Sequence, residues 1–291
     1  MTGMSAGPLQ SVAIVLRQSP DWEALSQRYL EGELVAVAEY APPFRVPGFP
    51  PNLGELVQIW NDLFGLDYFC CRARLKRIAQ DTLSLVPATL IPYQELAQAA
   101  DALAASTFFF FVDDDDWFAP YLADVCALLD PATSCVCFPL PLVTADYLTL
   151  VDASEGPTDR YLGPSRRFDL PFHTNNYGVR GTLLLTSPAA FRDHVIASDF
   201  ALKSQLSVSY FPHVVSAAVK TPASAGALGG LLNADGYMSE MVRFVDGLRS
   251  IEIPAHLEWI ERPTRAVEQL FRDTLASRRS VNPRWVVPKD F

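Results

Sequence analysis

Phe108-Phe109-Phe110-Phe111-Val112-Asp113-Asp114-Asp115-Asp116-Trp117 joins five consecutive large apolar residues to four carboxylates with no spacer. The apolar run is too short for a membrane span and lacks helical alternation. It therefore reads as a strand buried on both faces of a mostly parallel sheet. In open α/β sheets ligands bind beyond the carboxyl ends of the strands, which is where the acidic run falls. Four adjacent like charges repel one another and call for a cation or many hydrogen-bond donors. A hard divalent metal is the simplest such partner.

On either side of this stretch the chain alternates strand and helix patterns. Gln94 to Ser106 is rich in alanine, with Leu96, Ala99, Ala100 and Leu103 at helical spacing. Beyond the aspartates, Pro120 opens a helical run through Leu122, Val125, Cys126 and Leu129, and Ser134 to Phe138 reads as a strand. This β-α-β-α-β rhythm from Pro92 to Phe138 predicts a doubly wound, Rossmann-like α/β sheet flanked by helices. Further strands are expected at Ser11 to Leu16, Glu33 to Tyr40, Asp67 to Cys71, Thr182 to Thr186 and His213 to Lys220. Helices are expected over Asp21 to Leu30, Leu53 to Phe64, Tyr237 to Leu248 and Thr264 to Ser277. Ala41 to Asn52 holds five prolines and reads as a surface loop, and Gly156 to Asp169 as a mobile one. Residues 1–225 are expected to form the catalytic domain, with 226–291 a helical segment of the same domain that caps the core or makes an oligomer contact.

Composition narrows the function classes. In a chain of 291 residues, 49% hydrophobic residues suffice for a substantial core. The formal net charge of -10 argues against a general affinity for nucleic acid or an anionic membrane surface. No window reaches the roughly 18 apolar residues of a spanning helix, and Met1 to Gln10 lacks the pattern of a signal peptide, so a cytoplasmic protein is expected. Cys70, Cys71, Cys126, Cys135 and Cys137 form a CC and a CxC in apolar stretches, a pattern that favours buried reduced thiols over a zinc site.

The stretch Phe110-Phe111-Val112-Asp113-Asp114-Asp115-Asp116-Trp117-Phe118-Ala119-Pro120 resembles the metal-binding DxD segment of GT-A-fold glycosyltransferases. In that family the pattern is an apolar strand, D-x-D-D, an aromatic residue and a proline before a helix. The close match covers about a dozen residues, while the order of strands and helices agrees around it. The resemblance implies a GT-A-like fold and transfer of a sugar from a nucleotide-sugar donor to a saccharide or other hydroxyl acceptor. It also implies Mn²⁺ or Mg²⁺ as cofactor. By position, Asp113, with Asp114 beside it, would lie on the nucleotide side of the donor. Asp115 would ligate the metal, and Asp116 is a second candidate ligand because the run allows two registers. A divalent ion bridging the donor phosphates would stabilise charge on the leaving oxygen. The plain alternative is that the aspartates cap the next helix and face solvent.

Other candidates are less specific. Asn175-Asn176-Tyr177 offers amides that can recognise sugar hydroxyls, or an ordinary turn. His213, at the start of a late strand, could be a third metal ligand, and His173 competes with it. Arg72, Arg74, Lys76 and Arg77 could approach a diphosphate or form a solvated helix face. Asp199 and Glu240 are candidate bases for an inverting transfer. The acidic pair that inverting members often carry in the second half has no copy here.

Three other classes share parts of this pattern. A phosphohydrolase would use Asp113 as nucleophile and Asp115 as acid/base, but this chain has Trp117 where such enzymes carry Thr or Val. A nucleotidyltransferase would place a glycine-rich loop after the first strand, and Leu16-Arg17-Gln18-Ser19-Pro20 contains no Gly. A non-catalytic module binding sugar or calcium is the remaining reading.

Overall fold

The phenylalanine run is a strand in which every residue is buried: β3, Phe108–Val112. In the computed structural model its alternate residues enter two separate cores, as a strand covered on both sides requires. Phe108, Phe110 and Val112 pack on one face with Leu122, Val125 and Cys126 of a short helix, Leu122–Cys126. Phe109 and Phe111 pack on the other with Leu96 and the partly buried Ala99 of the helix Leu96–Ala102. Full burial of each such ring contributes about 1.5–3 kcal/mol, which makes β3 the spine of this core.

The structure describes residues 12–16, 19–31, 60–61, 68–103, 106–144, 148–151, 175–182, 209–223 and 234–279. Two compact units divide the chain. The first takes 1–18, 81–141 and 150–218, and the second takes 19–80, 142–149 and 219–291. The C-terminal helices thus share a unit with residues 19–80, a stretch that the sequence reading placed in the catalytic domain.

The first unit holds a six-stranded sheet. Its strands are β1 (Val12–Leu16), β2 (Thr89–Pro92), β3, β5 (Cys135–Cys137), β8 (Tyr177–Arg180) and β9 (Ser209–Tyr210). β4 (Trp117–Phe118), β6 (Leu140–Val143), β7 (Leu148–Val151) and β10 (Ser216–Val219) complete the strands among the described residues. The sheet order is β2-β1-β3-β8-β5-β9. β1 pairs in parallel with β2 and β3, and β5 with β9, but β8 runs antiparallel to both β3 and β5. The architecture is α/β with a mixed six-stranded sheet flanked by helices; three of its pairings are parallel, and the two made by β8 are antiparallel. β8 starts at the edge where β5 ends, with Tyr177 opposite Cys137, and so runs antiparallel to it.

The strand Tyr177–Arg180 was not expected from the sequence. Residues 181 and 182 are helical, and the rest of the strand expected at Thr182 to Thr186 lies outside the described residues. Arg180 closes the amino end of β3. Its guanidinium donates to the carbonyls of Thr133 (2.7 Å), Ser106 (3.2 Å) and Asp130 (3.4 Å) and lies 4.4 Å from the ring centroid of Phe108. Burial lowers its pKa, while Cys126 and Asp130 act in the opposite sense.

The second unit is mainly helical where it is described, with strand residues only from the ends of β6, β7 and β10. Its helices are α1 (Trp22–Leu30), most of α2 (Tyr68–Leu83), and two C-terminal helices, Ala234–Ser250 and Glu261–Arg279. The expected strand at Asp67 to Cys71 is instead the first turn of α2. Tyr68, Cys71, Leu75 and Ala79 are all buried at helical spacing, so the apolar start belongs to a period of 3.6. Trp22 packs against Phe69 and Tyr68 with centroids 6.3 and 6.4 Å apart, and Arg72 lies 5.1 Å from the Trp22 ring. Arg265 donates to the carbonyls of Leu248 and Ile251, closing the end of Ala234–Ser250, and Phe244 meets Phe271 edge to face.

The expected strand at Glu33 to Tyr40, the loops at Ala41 to Asn52 and Gly156 to Asp169, and most of Leu53 to Phe64 lie outside the described residues. Residues 60 and 61 are helical. All five cysteines are free; Cys71, Cys126, Cys135 and Cys137 are buried as expected, but Cys70 is exposed.

Candidate functional site

β1, β2 and β3 are parallel and adjacent, so Leu16, Pro92 and Val112 end at one edge of the sheet. The acidic run leaves β3 at this edge. Asp113 to Asp116 form a four-residue turn in which the Asp116 amide donates to the Asp113 carbonyl at 3.4 Å, a loose closure. Asp113, Asp114 and Asp115 are half-buried, and Asp116 is 4% exposed. The chain then enters β4, which pairs antiparallel with β10 so that Trp117 faces Ala217 and Phe118 faces Ser216.

The aspartates do not cap the next helix. That helix begins at Leu122, its N-cap is Tyr121, and the N-cap side chain makes no capping bond. The residues between are a strand and a tight bend, in which the Ala119 amide donates to Val215 O and Leu122 to Ala119 O. The alternative in which an aspartate of the run is the N-cap of this helix is therefore not met, since Tyr121 holds that position.

Register brings Asn175 and Asn176 beside the turn. Phe110 faces Gly178 across β3 and β8, and continuing this pairing sets Tyr177 against Phe111, Asn176 against Val112 and Asn175 against Asp113. The Phe111 and Tyr177 rings stack with centroids 6.3 Å apart, in keeping with this continuation. Both asparagines are fully buried. The Asn175 amide donates to Ala217 O at 3.0 Å and that of Asn176 to Phe138 O at 3.1 Å; the Phe138 amide donates to Asn176 O at 2.8 Å.

β9 stands three strands from β3 in the sheet order. His213 lies in the link that follows it. It precedes β10 instead of starting a strand, is exposed, and stacks on Phe211 with centroids 4.8 Å apart. Among the described residues no three His, Cys, Asp or Glu side chains come together as a metal site.

The other candidates lie elsewhere. Arg72, Arg74, Lys76 and Arg77 sit on α2, where Arg74 meets Asp273 at 3.6 Å, Arg77 meets Glu23 at 3.1 Å and Lys76 bonds to Ser19 at 3.0 Å. Arg72 sits over Trp22. Glu240 is on Ala234–Ser250 in the second unit, and its side chain is not among those described; Asp199 and His173 lie outside the described residues.

Sequence reasoning missed Gly178. A Cβ built there would lie 2.6 Å from the Phe110 ring, so a side chain is excluded where the ring crosses the strand. A lone glycine after Tyr177 was the available signal, and it argued against a strand.

No protein-family description matches the chain, and no curated protein is significantly similar to it. No described helix is long and apolar enough to cross a membrane.

Proposed function

We propose that this chain is a metal-dependent glycosyltransferase of GT-A type, which moves a sugar from a nucleoside-diphosphate donor to an acceptor hydroxyl. The observation that carries the reading is the acidic turn at the carboxyl edge of three adjacent parallel strands, led in by a fully buried strand and followed by another strand before the next helix begins. That is the place where α/β sheets bind ligands.

The donor chemistry fits Mn²⁺ or Mg²⁺. Both prefer carboxylate and water oxygens, and Mg²⁺ is usually held by one or two carboxylates together with substrate phosphates. Asp113, Asp114 and Asp115 are half-buried, so each keeps part of its surface open to solvent. Asp115 would hold the ion, with Asp116 as second candidate, and Asp113 and Asp114 would face the nucleotide. When bound, the ion would neutralise charge on the departing diphosphate. The protein's own part is to hold the carboxylates at a fixed spacing on a rigid edge.

Calorimetry with UDP, GDP and dTDP, each with and without Mn²⁺, tests this. The expected result is nucleotide binding that requires the metal. Binding that ignores the metal, or no binding with any of the three, counts against the proposal.

A further inference from the structure

The acidic turn has two ends, and different neighbours hold them. At its entry β3 pairs with β8 through Phe110 and Gly178. At its exit β4 pairs with β10 through Trp117 and Ala217. Asn175 joins these two holders: it lies two residues before β8, and its amide donates to the carbonyl of Ala217, the residue opposite Trp117. The side chain is fully buried, so water does not compete for that bond.

We infer that Asn175 is a positioning residue, which fixes the separation between the entry and exit of the Asp113–Asp116 turn. It thereby sets the affinity of the aspartates for a divalent cation; this second half rests on the metal reading above. The backbone closure of the turn is long at 3.4 Å, and the bond from Asn175 adds a tie between the segments at its entry and its exit. Asparagine suits the task because it donates without charge. An aspartate at 175 would set acceptor against acceptor and add a carboxylate beside four others. Asn176, equally buried, bonds to Phe138 O and ties the start of β8 to the end of β5 instead. The two neighbouring amides therefore bond to different segments, Asn175 to the exit strand and Asn176 to the residue after β5.

Hydrogen exchange and Mn²⁺ titration of the full chain test this, with Asn175→Ala compared against Arg180→Lys. The second variant weakens the opposite end of the same strand. Asn175→Ala is expected to speed amide exchange across residues 113–119 by about tenfold or more and to weaken Mn²⁺ binding by about tenfold. Arg180→Lys is expected to lower the unfolding midpoint while leaving both other readings within about twofold of wild type. If Asn175→Ala does not fold, Asn175→Ser, with a shorter side chain, carries the same measurements. Unchanged exchange across 113–119 overturns the positioning role whether or not Mn²⁺ binds. Faster exchange with wild-type Mn²⁺ affinity overturns the link to the cation. A wild-type chain with no Mn²⁺ affinity, alone or with UDP, sinks the metal reading and that link together, and the exchange result still decides the positioning role.

Discussion

The ring of Phe110 lies across the backbone of Gly178, so closely that a Cβ on the glycine would come within 2.6 Å of Cζ and 2.9 Å of Cε1. Phe110 has little room to give way, because its other contacts are the buried rings of Phe118 and Phe138, with centroids 5.7 and 6.0 Å away. Gly178→Ala is expected to destabilise the fold by about 1–3 kcal/mol, as overpacked cores do. Combining it with Phe110→Leu should cost less than the sum of the two single changes. Urea midpoints of the four chains measure this, and strict additivity would show that the ring and the methyl do not collide.

Asp115→Asn keeps the shape of the side chain and removes one charge from the acidic turn. Metal-assisted transfer is expected to fall by about a hundredfold or more, given the several kcal/mol that a Lewis acid contributes. The metal-free melting temperature should hold or rise slightly, because repulsion within the run decreases. Sugar-donor turnover and a metal-free melt check the two halves. Full activity at limiting metal would move the assignment to Asp116.

Cys126 makes stability depend on alkaline pH. Burial pushes its thiol up to about 12 from an ordinary 9.0, against the attraction of the Arg180 guanidinium. In the unfolded chain the thiol ionises near its ordinary value, while the folded chain keeps it protonated. The contribution is therefore complete below about pH 9 and is lost as pH rises towards 12, by at most about 1.4 kcal/mol per unit. The stability difference between wild type and Cys126→Ala should be flat below pH 9 and shift against wild type above it. A difference that stays constant to pH 11 would mean that the thiol is not shielded.

Thiol labelling gives a simpler check on the same core. In the native chain Cys70 should react readily with a thiol reagent, whereas Cys71, Cys126, Cys135 and Cys137 should react only on unfolding, because they are buried. Mass spectrometry after brief labelling distinguishes the five sites. Rapid native labelling of Cys135 or Cys137 would contradict the packing of β5.

Arg180→Lys is expected to cost about 2–3 kcal/mol, since a lysine cannot replace the planar fork that reaches three carbonyls at once. Guanidinium chloride unfolding measures the loss. A change below about 0.5 kcal/mol would show that those carbonyls find water instead.

What could be read from the sequence was what repeats locally. The buried strand Phe108–Val112, the helices around it and the two C-terminal helices all declare themselves through apolar spacing within a single window. The strand at Tyr177–Arg180 did not, because glycine and arginine both weaken the pattern, and their reasons for being there lie on other segments. Helix α2 was misread at its start because Tyr68-Phe69-Cys70-Cys71 is apolar over four residues and periodic only over sixteen. At the site, the acidic run was legible as a charge anomaly. The bond from Asn175 was not, since its partner is 42 residues away and is a backbone carbonyl, which has no signature in sequence.

The acidic turn is also the place where the chain leaves one pairing for another, from β3 beside β8 to β4 beside β10. Successive residues of a strand point to opposite faces, so inserting or deleting one aspartate would either exchange the faces of Trp117 and Phe118 or shift their partners on β10. Both residues are buried, and neither move leaves them so without rebuilding the core. Substitution within Asp113–Asp116 is therefore open to trial in a way that a change in the number of residues is not: the chemistry of the run can vary while its length stays locked.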